Sequence, residues 1–298
     1  MANLRVCKAI VPIAGLGTRQ FPASHAVKKE LFPVVGPDGI ARALVHYHLI
    51  ELVNAGIEEI CLIVQPGDEA VITAYLRGPD DAYLRRLEKY PELSAEARRM
   101  RDILPRIRFV QQRSQEGFGH AVYQAREFAH REMTLLCLGD HLFSGATQSP
   151  YRELAAMASV SNGRSVSAVN RISAAELKSF GTIAGRRRPE NQRLIDIDLI
   201  IEKPDVQTAR RQLRVDNLDD DQFLGWFGMH VLSPSIFDVL EGMIRDDIRD
   251  KGEFQLTRAQ EIQRQNEGCL ALEMTDAKRF DFGVPDDFVR SLQEFRKP

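Results

Sequence analysis

A short stretch early in the chain combines two glycines, a hydroxyl group and a guanidinium directly after an apolar run. The stretch reads Ala14, Gly15, Leu16, Gly17, Thr18 and Arg19. Two further cations, Lys28 and Lys29, follow it closely in the sequence. A strand that opens into a glycine turn can direct its backbone N–H groups at a phosphate, and Arg and Lys side chains neutralise the same anion. The spacing therefore predicts a polyphosphate site.

Taken alone, the glycine turn does not indicate one particular kind of ligand site. It lacks the third glycine of the dinucleotide fingerprint and the Gly-Lys-Ser/Thr ending of a P-loop. A plain turn without a ligand stays an open alternative, because glycine often serves only to relax the backbone. A dehydrogenase fits poorly, since it needs an acidic residue at the end of the second strand, where this chain has Gln65 and Pro66.

Strand-like and helix-like segments alternate through the first half of the chain. Apolar runs predict strands at residues 8–14, 59–64, 107–110 and 134–138. Helices are predicted at 41–54, at 120–130 and, as a charged pair, within 80–101. This order indicates a mainly parallel sheet with helices on both faces. Ligands of such sheets bind beyond the carboxyl ends of the strands, so the glycine turn and Asp140 are expected to face one crevice.

The second half is more mixed, and no linker separates it from the first. We predict strands at 166–169, 182–184, 194–202, 226–232 and 269–274, and helices at 254–265 and 286–295. The arginines at 186–188 are expected in a solvated hairpin tip, and residues 205–222 in a surface excursion. One domain over 1–298 is the simplest organisation, with a nucleotide-binding half at about 1–145 and a sugar-phosphate-binding half at about 146–298.

Composition limits the classes of partner. The 298 residues include 44% hydrophobic side chains, which suffices for a large core, and the formal charge is only −2. No excess of positive charge favours nucleic acid or an anionic membrane, so neither is an expected partner. The four cysteines lack metal or redox spacing, and no apolar segment predicts a signal peptide or a membrane span. We expect a cytoplasmic protein.

Several motifs continue the pattern in order along nearly the whole chain. They are Gly15, Gly17, Thr18, Arg19, Lys29, Glu30 and Pro33; Gln112 with 117–121; Leu138-Gly139-Asp140; Phe180-Gly181; Glu202-Lys203-Pro204; Gly228 with 231–233; 253–257; and Asp281-Phe282-Gly283. In this arrangement the chain resembles the bacterial UTP–glucose-1-phosphate uridylyltransferases, within the sugar-phosphate nucleotidylyltransferase family.

The resemblance implies a Rossmann-like three-layer α/β sandwich with a mixed, mainly parallel central sheet, the nucleotide-diphospho-sugar transferase fold. It implies Mg²⁺-dependent transfer of a uridylyl group from UTP to glucose 1-phosphate, giving UDP-glucose and pyrophosphate. The partners are then a nucleoside triphosphate and a sugar 1-phosphate, and a homo-oligomer is expected. The same chemistry with dTTP or another sugar 1-phosphate, and a catalytically silent sugar-nucleotide sensor, stay open as alternatives.

The resemblance also assigns roles to residues. Arg19 and Lys29 would be the catalytic cations, and Asp140 with Asp281 would hold Mg²⁺. The nucleotide would be bound by Ala14, Gly15, Leu16, Gly17, Thr18, Gln112 and Gly117. The sugar phosphate would be bound by Gly139, Gly181, Glu202 and Lys203. A helix cap remains an alternative role for Asp140, and a turn residue for Asp281.

A few positions depart from the family pattern or are expected to lie outside the site. His25 stands where a lysine is usual, Glu116 adds negative charge, and Val284-Pro285 replaces a pair that normally contains a lysine. These changes leave the reaction class untouched but weaken the prediction of the sugar and the base. His141 follows Asp140 directly, and because neighbouring side chains after a strand usually diverge, we do not expect it to act with that carboxylate.

Overall fold

The computed structural model describes residues 5–297, and apolar strands alternate with helices as the sequence predicts. Its strands are β1 (Lys8–Pro12), β2 (Pro33–Val35), β3 (Ala41–Ala43), β4 (Glu59–Val64), β5 (Ile107–Gln111), β6 (Thr134–Cys137), β7 (His141–Gly145), β8 (Val166–Ser173), β9 (Gly181–Arg188), β10 (Asn191–Glu202), β11 (Gln222–Leu232), β12 (Leu270–Glu273) and β13 (Ala277–Asp281).

The helices follow the same alternation. They are α1 (Ala23–Ala26), α2 (Leu44–Asn54), α3 (Asp68–Arg77), α4 (Asp81–Leu87), α5 (Pro91–Ile103), α6 (Phe118–Gln124), α7 (Arg126–Ala129), α8 (Pro150–Ala156), α9 (Val206–Gln212), α10 (Ser235–Arg245), α11 (Leu256–Glu267) and α12 (Pro285–Phe295). Short 3₁₀ turns occur at Thr18–Gln20, Lys29–Leu31, Leu104–Arg106, Met157–Val160 and Ala174–Ser179. None of the helices in residues 5–297 combines the length and hydropathy that a bilayer span needs.

A nine-stranded sheet organises these elements in the order β5-β4-β1-β6-β11-β8-β12-β10-β9. The pairs β4–β5, β1–β4, β1–β6 and β8–β12 are parallel. β11 runs antiparallel to β6 and β8, and β10 runs antiparallel to β12 and β9. All strands of this sheet except β10 and β11 therefore point in one direction, which gives the mixed, mainly parallel arrangement that was predicted.

Helices cover both faces of the sheet because successive strand residues point to opposite sides. In β1, Ala9 and Val11 belong to a core that includes Leu49 of α2, whereas Ile10 lies in a second core with Leu240 of α10. These three layers bury both faces of β1, β4 and β6, which explains why the strands read as continuous apolar runs.

Two small antiparallel pairs lie outside the main sheet and were not predicted. β2 pairs with β3, so the helix expected from residue 41 begins only at Leu44. β7 pairs with β13 and brings His141 opposite Asp281. The cross-strand pairing joins segments more than a hundred residues apart in the chain, and it shapes one rim of the cavity described below.

The arginine run at 186–188 corrects a further prediction. These residues form the end of β9, next to the hairpin turn at 189–190. Arg186 is 77% exposed, as expected, whereas Arg187 is only 6% exposed and pairs with Glu273. Within 205–222, the excursion contains the helix α9. Residues 1–4 and 298 of the predicted domain lie outside the described part of the chain.

Candidate active site

A cavity of about 900 Å³ opens beyond the carboxyl ends of β1, β5, β6 and β10. Most residues that the sequence nominated contribute to its wall. The nominated residues in the wall are Ala14, Gly15, Arg19, Lys29, Gln112, Gly117, Gly139, Asp140, Gly181, Glu202, Lys203 and Asp281. Residues from both halves of the chain thus converge on one crevice, as expected for ligands of an open α/β sheet.

Lys29 and Asp140 form the central ion pair of this cavity. The Lys29 Nζ lies 2.6 Å from Asp140 Oδ2, and an Arg19 nitrogen lies 4.0 Å from the same oxygen. Burial opposes the charge on Lys29, but Asp140 and Glu30 outweigh it and raise the Lys29 pKa. Burial likewise opposes the charge on Asp140, yet His141 and Lys29 hold its pKa well below the ordinary value. Both groups are therefore ionised.

His141 joins the two carboxylates, which corrects the expectation that it would point away. Its Nδ1 lies 2.8 Å from Asp140 Oδ1, and its Nε2 lies 3.3 Å from Asp281 Oδ2. Although burial lowers the pKa of His141, Asp140 and Asp281 overcome this and raise it to about 9. The pairing of β7 with β13 is the cause, because it sets His141 directly across from Asp281.

Backbone contacts fix the loop that carries Asp281. The Gly283 N–H donates to Asp281 Oδ1 at 2.7 Å, and the Phe282 N–H donates to the carbonyl of Asp140 at 2.8 Å. A Cβ at Gly283 would lie 2.7 Å from Asp140 Oδ2. Gln20 also donates to the carbonyl of Phe282, which ties the glycine turn to this loop.

The glycine turn itself stands at the edge of the cavity. Leu16, Gly17 and Thr18 are not part of the wall, and Leu16 is 59% exposed. Gly17 has a φ of 66° and its carbonyl accepts a hydrogen bond from Ser24. Within residues 5–297 no acceptor takes the backbone N–H of Leu16 or Gly17. Lys28, which the sequence placed with the phosphate cations, instead pairs with Asp68 at 2.7 Å.

Gln112 and Gly117 occupy the β5 side of the cavity. Gln112 is buried, and its amide lies 3.1 Å from His120 Nδ1. Gly117 has a φ of 111°, and a Cβ there would lie 2.8 Å from the carbonyl oxygen of Phe254. The backbone N–H of Gly119 also donates to this carbonyl. The side-chain amide of Gln112 is thus held between a helix and a glycine segment of fixed shape.

Glu202, Lys203 and Gly181 lie together on the opposite side. Glu202 Oε2 accepts a hydrogen bond from Thr257 at 2.8 Å, and Lys203 Nζ lies 3.6 Å from Glu202 Oε1. Lys203 has a φ of 47°, a left-handed conformation that is strained for a residue with a side chain. A Cβ on Gly181 would lie 2.5 Å from the Trp226 ring. At Gly139 a Cβ would meet the carbonyl of Pro12 at 2.6 Å.

The departures from the family pattern have different surroundings. Glu116 pairs with Arg249 at 2.7 Å, so its charge is compensated locally. His25 is exposed and is not among the wall residues, whereas Val284 is. The wall also contains Arg279 and Lys178, two cations that sequence reasoning missed. Recognising 277–281 as a strand would have placed Arg279 on the same face as Asp281.

The donor chemistry at Asp140 and Asp281 suits a hard divalent cation. In residues 5–297 no group of three or more His, Cys, Asp or Glu side chains is arranged to hold a metal ion by itself. Mg²⁺, however, typically takes one or two carboxylates and completes its shell with phosphate oxygens and water. Two ionised carboxylates held on one imidazole, beside a predicted polyphosphate site, fit that requirement.

Proteins of known sequence and structure resemble this chain over almost its full length. UTP–glucose-1-phosphate uridylyltransferase 1 of Staphylococcus saprophyticus is 29% identical and covers 98% of this chain and 93% of its own. The UTP–glucose-1-phosphate uridylyltransferase of Mycoplasma pneumoniae is 28% identical, with coverage of 96% and 91%.

Solved structures show the same fold. A UDP-glucose pyrophosphorylase complexed with UDP-glucose aligns with a TM-score of 0.75 at 21% identity, over 97% of this chain and 98% of that chain. A UTP-bound UGPase from Acinetobacter baumannii gives 0.78 at 24% identity, over 97% and 93%. The predicted three-layer fold and the resemblance to this group are thereby confirmed. The family model for nucleotidyl transferases matches residues 8–297, and the chain belongs to that family.

Proposed function

We propose that this chain transfers a uridylyl group from UTP to glucose 1-phosphate, giving UDP-glucose and pyrophosphate. The observation that carries the proposal is the meeting of Arg19, Lys29, Lys203 and the Asp140–Asp281 pair in one cavity. The names of the relatives support the choice of UTP and glucose 1-phosphate, since both relatives match over most of their own length.

The reaction requires two polyanions to approach each other. An oxygen of the sugar phosphate forms a bond to the α-phosphorus in line, while the bond to the leaving pyrophosphate breaks. Catalysis of this kind depends on positioning and on neutralising negative charge, and it needs no protein nucleophile. Arg19 would neutralise the departing phosphates, Lys29 would contact the α-phosphate region, and Lys203 would bind the incoming phosphate.

The nucleotide would lie along the glycine turn and β5. The free N–H groups of Leu16 and Gly17 are suited to bind phosphate oxygens at the edge of the cavity. Gln112 can both donate and accept a hydrogen bond, which matches one edge of a uracil ring. On the other side, Glu202 would accept hydrogen bonds from sugar hydroxyls, and Gly181 would allow the sugar to approach the backbone.

Asp140 and Asp281 would hold Mg²⁺, which when bound supplies positive charge to the triphosphate and the leaving oxygens. In the described structure Lys29 and the protonated His141 neutralise these carboxylates. The chain's own residues therefore keep both carboxylates ionised and close together.

A pyrophosphate-release screen tests the proposal directly. UTP, dTTP, ATP, CTP and GTP are each combined with glucose, galactose, mannose or N-acetylglucosamine 1-phosphate in the presence of Mg²⁺. The highest kcat/KM is expected for UTP with glucose 1-phosphate. A clear preference for dTTP or another sugar would instead establish the sister activity.

A sugar-nucleotide sensor is the alternative from another class. A sensor would bind nucleotide in calorimetry but release no pyrophosphate from any pair in the screen. The presence of Arg19, Lys29, Asp140 and Asp281 in one cavity favours the enzyme, because binding alone does not need this complete set of charges.

A further inference from the structure

The guanidinium of Arg279 lies in the cavity wall, and the proposed reaction assigns no role to it. It lies on β13, two residues before Asp281, and both side chains contribute to the wall. Residues two apart on a strand point to the same side and lie roughly 7 Å apart. An anion bound at Arg279 would therefore lie next to the two carboxylates.

The orientation of Arg279 is fixed from two directions. Its guanidinium carbon stands 4.1 Å from the centre of the Phe180 ring, and one Nη donates to the carbonyl of Trp226 at 3.0 Å. Aromatic stacking and a backbone acceptor hold the plane of the group while most of its N–H donors stay unused. A guanidinium oriented in this way loses little further entropy on binding a ligand.

The positive charge of Arg279 has no close partner. It makes no ion pair with any acidic side chain of residues 5–297, and Asp281, Glu176 and Asp287 act on it only at longer range. Partial burial of an unpaired guanidinium is unfavourable, as its lowered pKa also indicates. Arg187, by contrast, is buried next to the carboxylate of Glu273. Since Arg279 has no such carboxylate, an anionic ligand is the partner that would compensate its charge.

We propose that Arg279 binds the phosphate of the sugar 1-phosphate. This inference rests on the proposed function, and it assigns to that reaction a phosphate-binding residue on β13. Phe180 and Trp226, which orient Arg279, also flank Gly181 on the sugar side, whereas the glycine turn and Arg19 lie on the nucleotide side. The planar fork of donors matches two phosphate oxygens and leaves a third free to attack.

The test compares Arg279→Gln and Arg279→Lys with the control Lys278→Gln. Lys278 is the neighbouring residue on β13, but its side chain is 57% exposed and pairs with Glu294. Steady-state kinetics give KM for each substrate. Arg279→Gln should raise KM for glucose 1-phosphate about 10- to 100-fold, the usual effect of losing charged hydrogen bonds. KM for UTP should change less than about threefold, and Arg279→Lys should be intermediate because it keeps the charge.

The comparison applies when Arg279→Gln unfolds at the same temperature as the wild-type protein. Two results in that variant would then overturn the assignment. One is an unchanged KM for glucose 1-phosphate in Arg279→Gln, and the other is an equal rise in both KM values. If the wild-type protein releases no pyrophosphate with any pair, the proposed function fails separately. Calorimetry with inorganic phosphate then still tests Arg279, since weaker binding by Arg279→Gln than by Lys278→Gln supports the site and equal binding removes it.

Discussion

At residue 181 the backbone passes so close to an indole ring that even a methyl group has no space. Gly181→Ala would place a Cβ 2.5 Å from Trp226 and 3.0 Å from Glu202 Oε2. One of these side chains must move, and overpacking of this kind destabilises a fold by about 1–3 kcal/mol. We expect a rise of about tenfold in KM for the sugar 1-phosphate and little change in KM for UTP. Kinetics of Gly181→Ala beside Gly242→Ala, where the nearest atom to the Cβ is an arginine nitrogen at 4.0 Å, would check this.

The adjacent residues Lys28 and Lys29 are expected to serve different purposes, with Lys29 acting in catalysis and Lys28 contributing to stability. Lys29 faces Asp140 in the cavity, whereas Lys28 is paired with Asp68 outside it. Lys29→Met should lower kcat on the order of 10³-fold, because a cation that neutralises developing phosphate charge is lost. Lys28→Met should change kcat less than about threefold while lowering the melting temperature. Similar kcat losses in both variants would contradict the assignment of Lys29.

Glu30 gives the fold a defined pH dependence. Burial raises its pKa to about 7, although Lys29 and Lys28 oppose this. Between about pH 4.5 and 7 the unfolded chain has lost this proton while the folded chain keeps it, so stability falls as pH rises. Glu30→Gln removes the titration. The melting temperature of Glu30→Gln minus that of the wild-type protein should therefore increase from pH 5 to pH 8. If this difference were constant over the range, Glu30 would not keep its proton in the folded state.

An ion cluster attaches helix α5 to the small β2–β3 pair. Arg42 of β3 donates to Glu96 of α5 at 2.6 Å and to Asp38 at 2.8 Å, and its side chain is 5% exposed. Arg42→Met leaves the largely buried Glu96 carboxylate without its main partner. Such a loss destabilises a protein by about 3 kcal/mol. Urea unfolding measures this loss of stability. Arg98 is exposed on α5, the helix that carries Glu96, and the control Arg98→Met should change the free energy of unfolding little.

The sequence could predict the buried strands of the main sheet but not the short strand pairs outside it. β4 was predicted with its observed bounds, because a strand buried on both faces reads as a continuous apolar run. β7 and β13 were missed, since each is only five residues long, has no regular alternation of polar and apolar residues, and pairs across a long separation. The motif around Asp140 was therefore visible in sequence, but the neighbours His141 and Arg279 depended on a pairing that no local pattern specifies.

Many charged side chains line the cavity, although the protein as a whole carries almost no net charge. The formal charge is −2, yet Arg19, Lys29, Lys178, Lys203 and Arg279 all line one cavity. The same wall also carries carboxylates, including Asp140, Glu202 and Asp281, so phosphorylated ligands are expected to bind through contacts with individual cations and not through a net positive field. Binding should accordingly weaken with salt, and the loss should be confined to phosphate-bearing ligands.

The main sheet connects the two halves of the chain, and we expect them to unfold together. β11 of the second half lies between β6 of the first half and β8. One hydrophobic core contains residues of both halves, including Ala9, Phe227 and Leu270. Separating the halves at about residue 145 would expose an edge of β6 and divide this core. We therefore expect one calorimetric transition whose calorimetric and van't Hoff enthalpies agree. Two resolved transitions, or a soluble folded fragment 1–145, would show that the halves are independent domains.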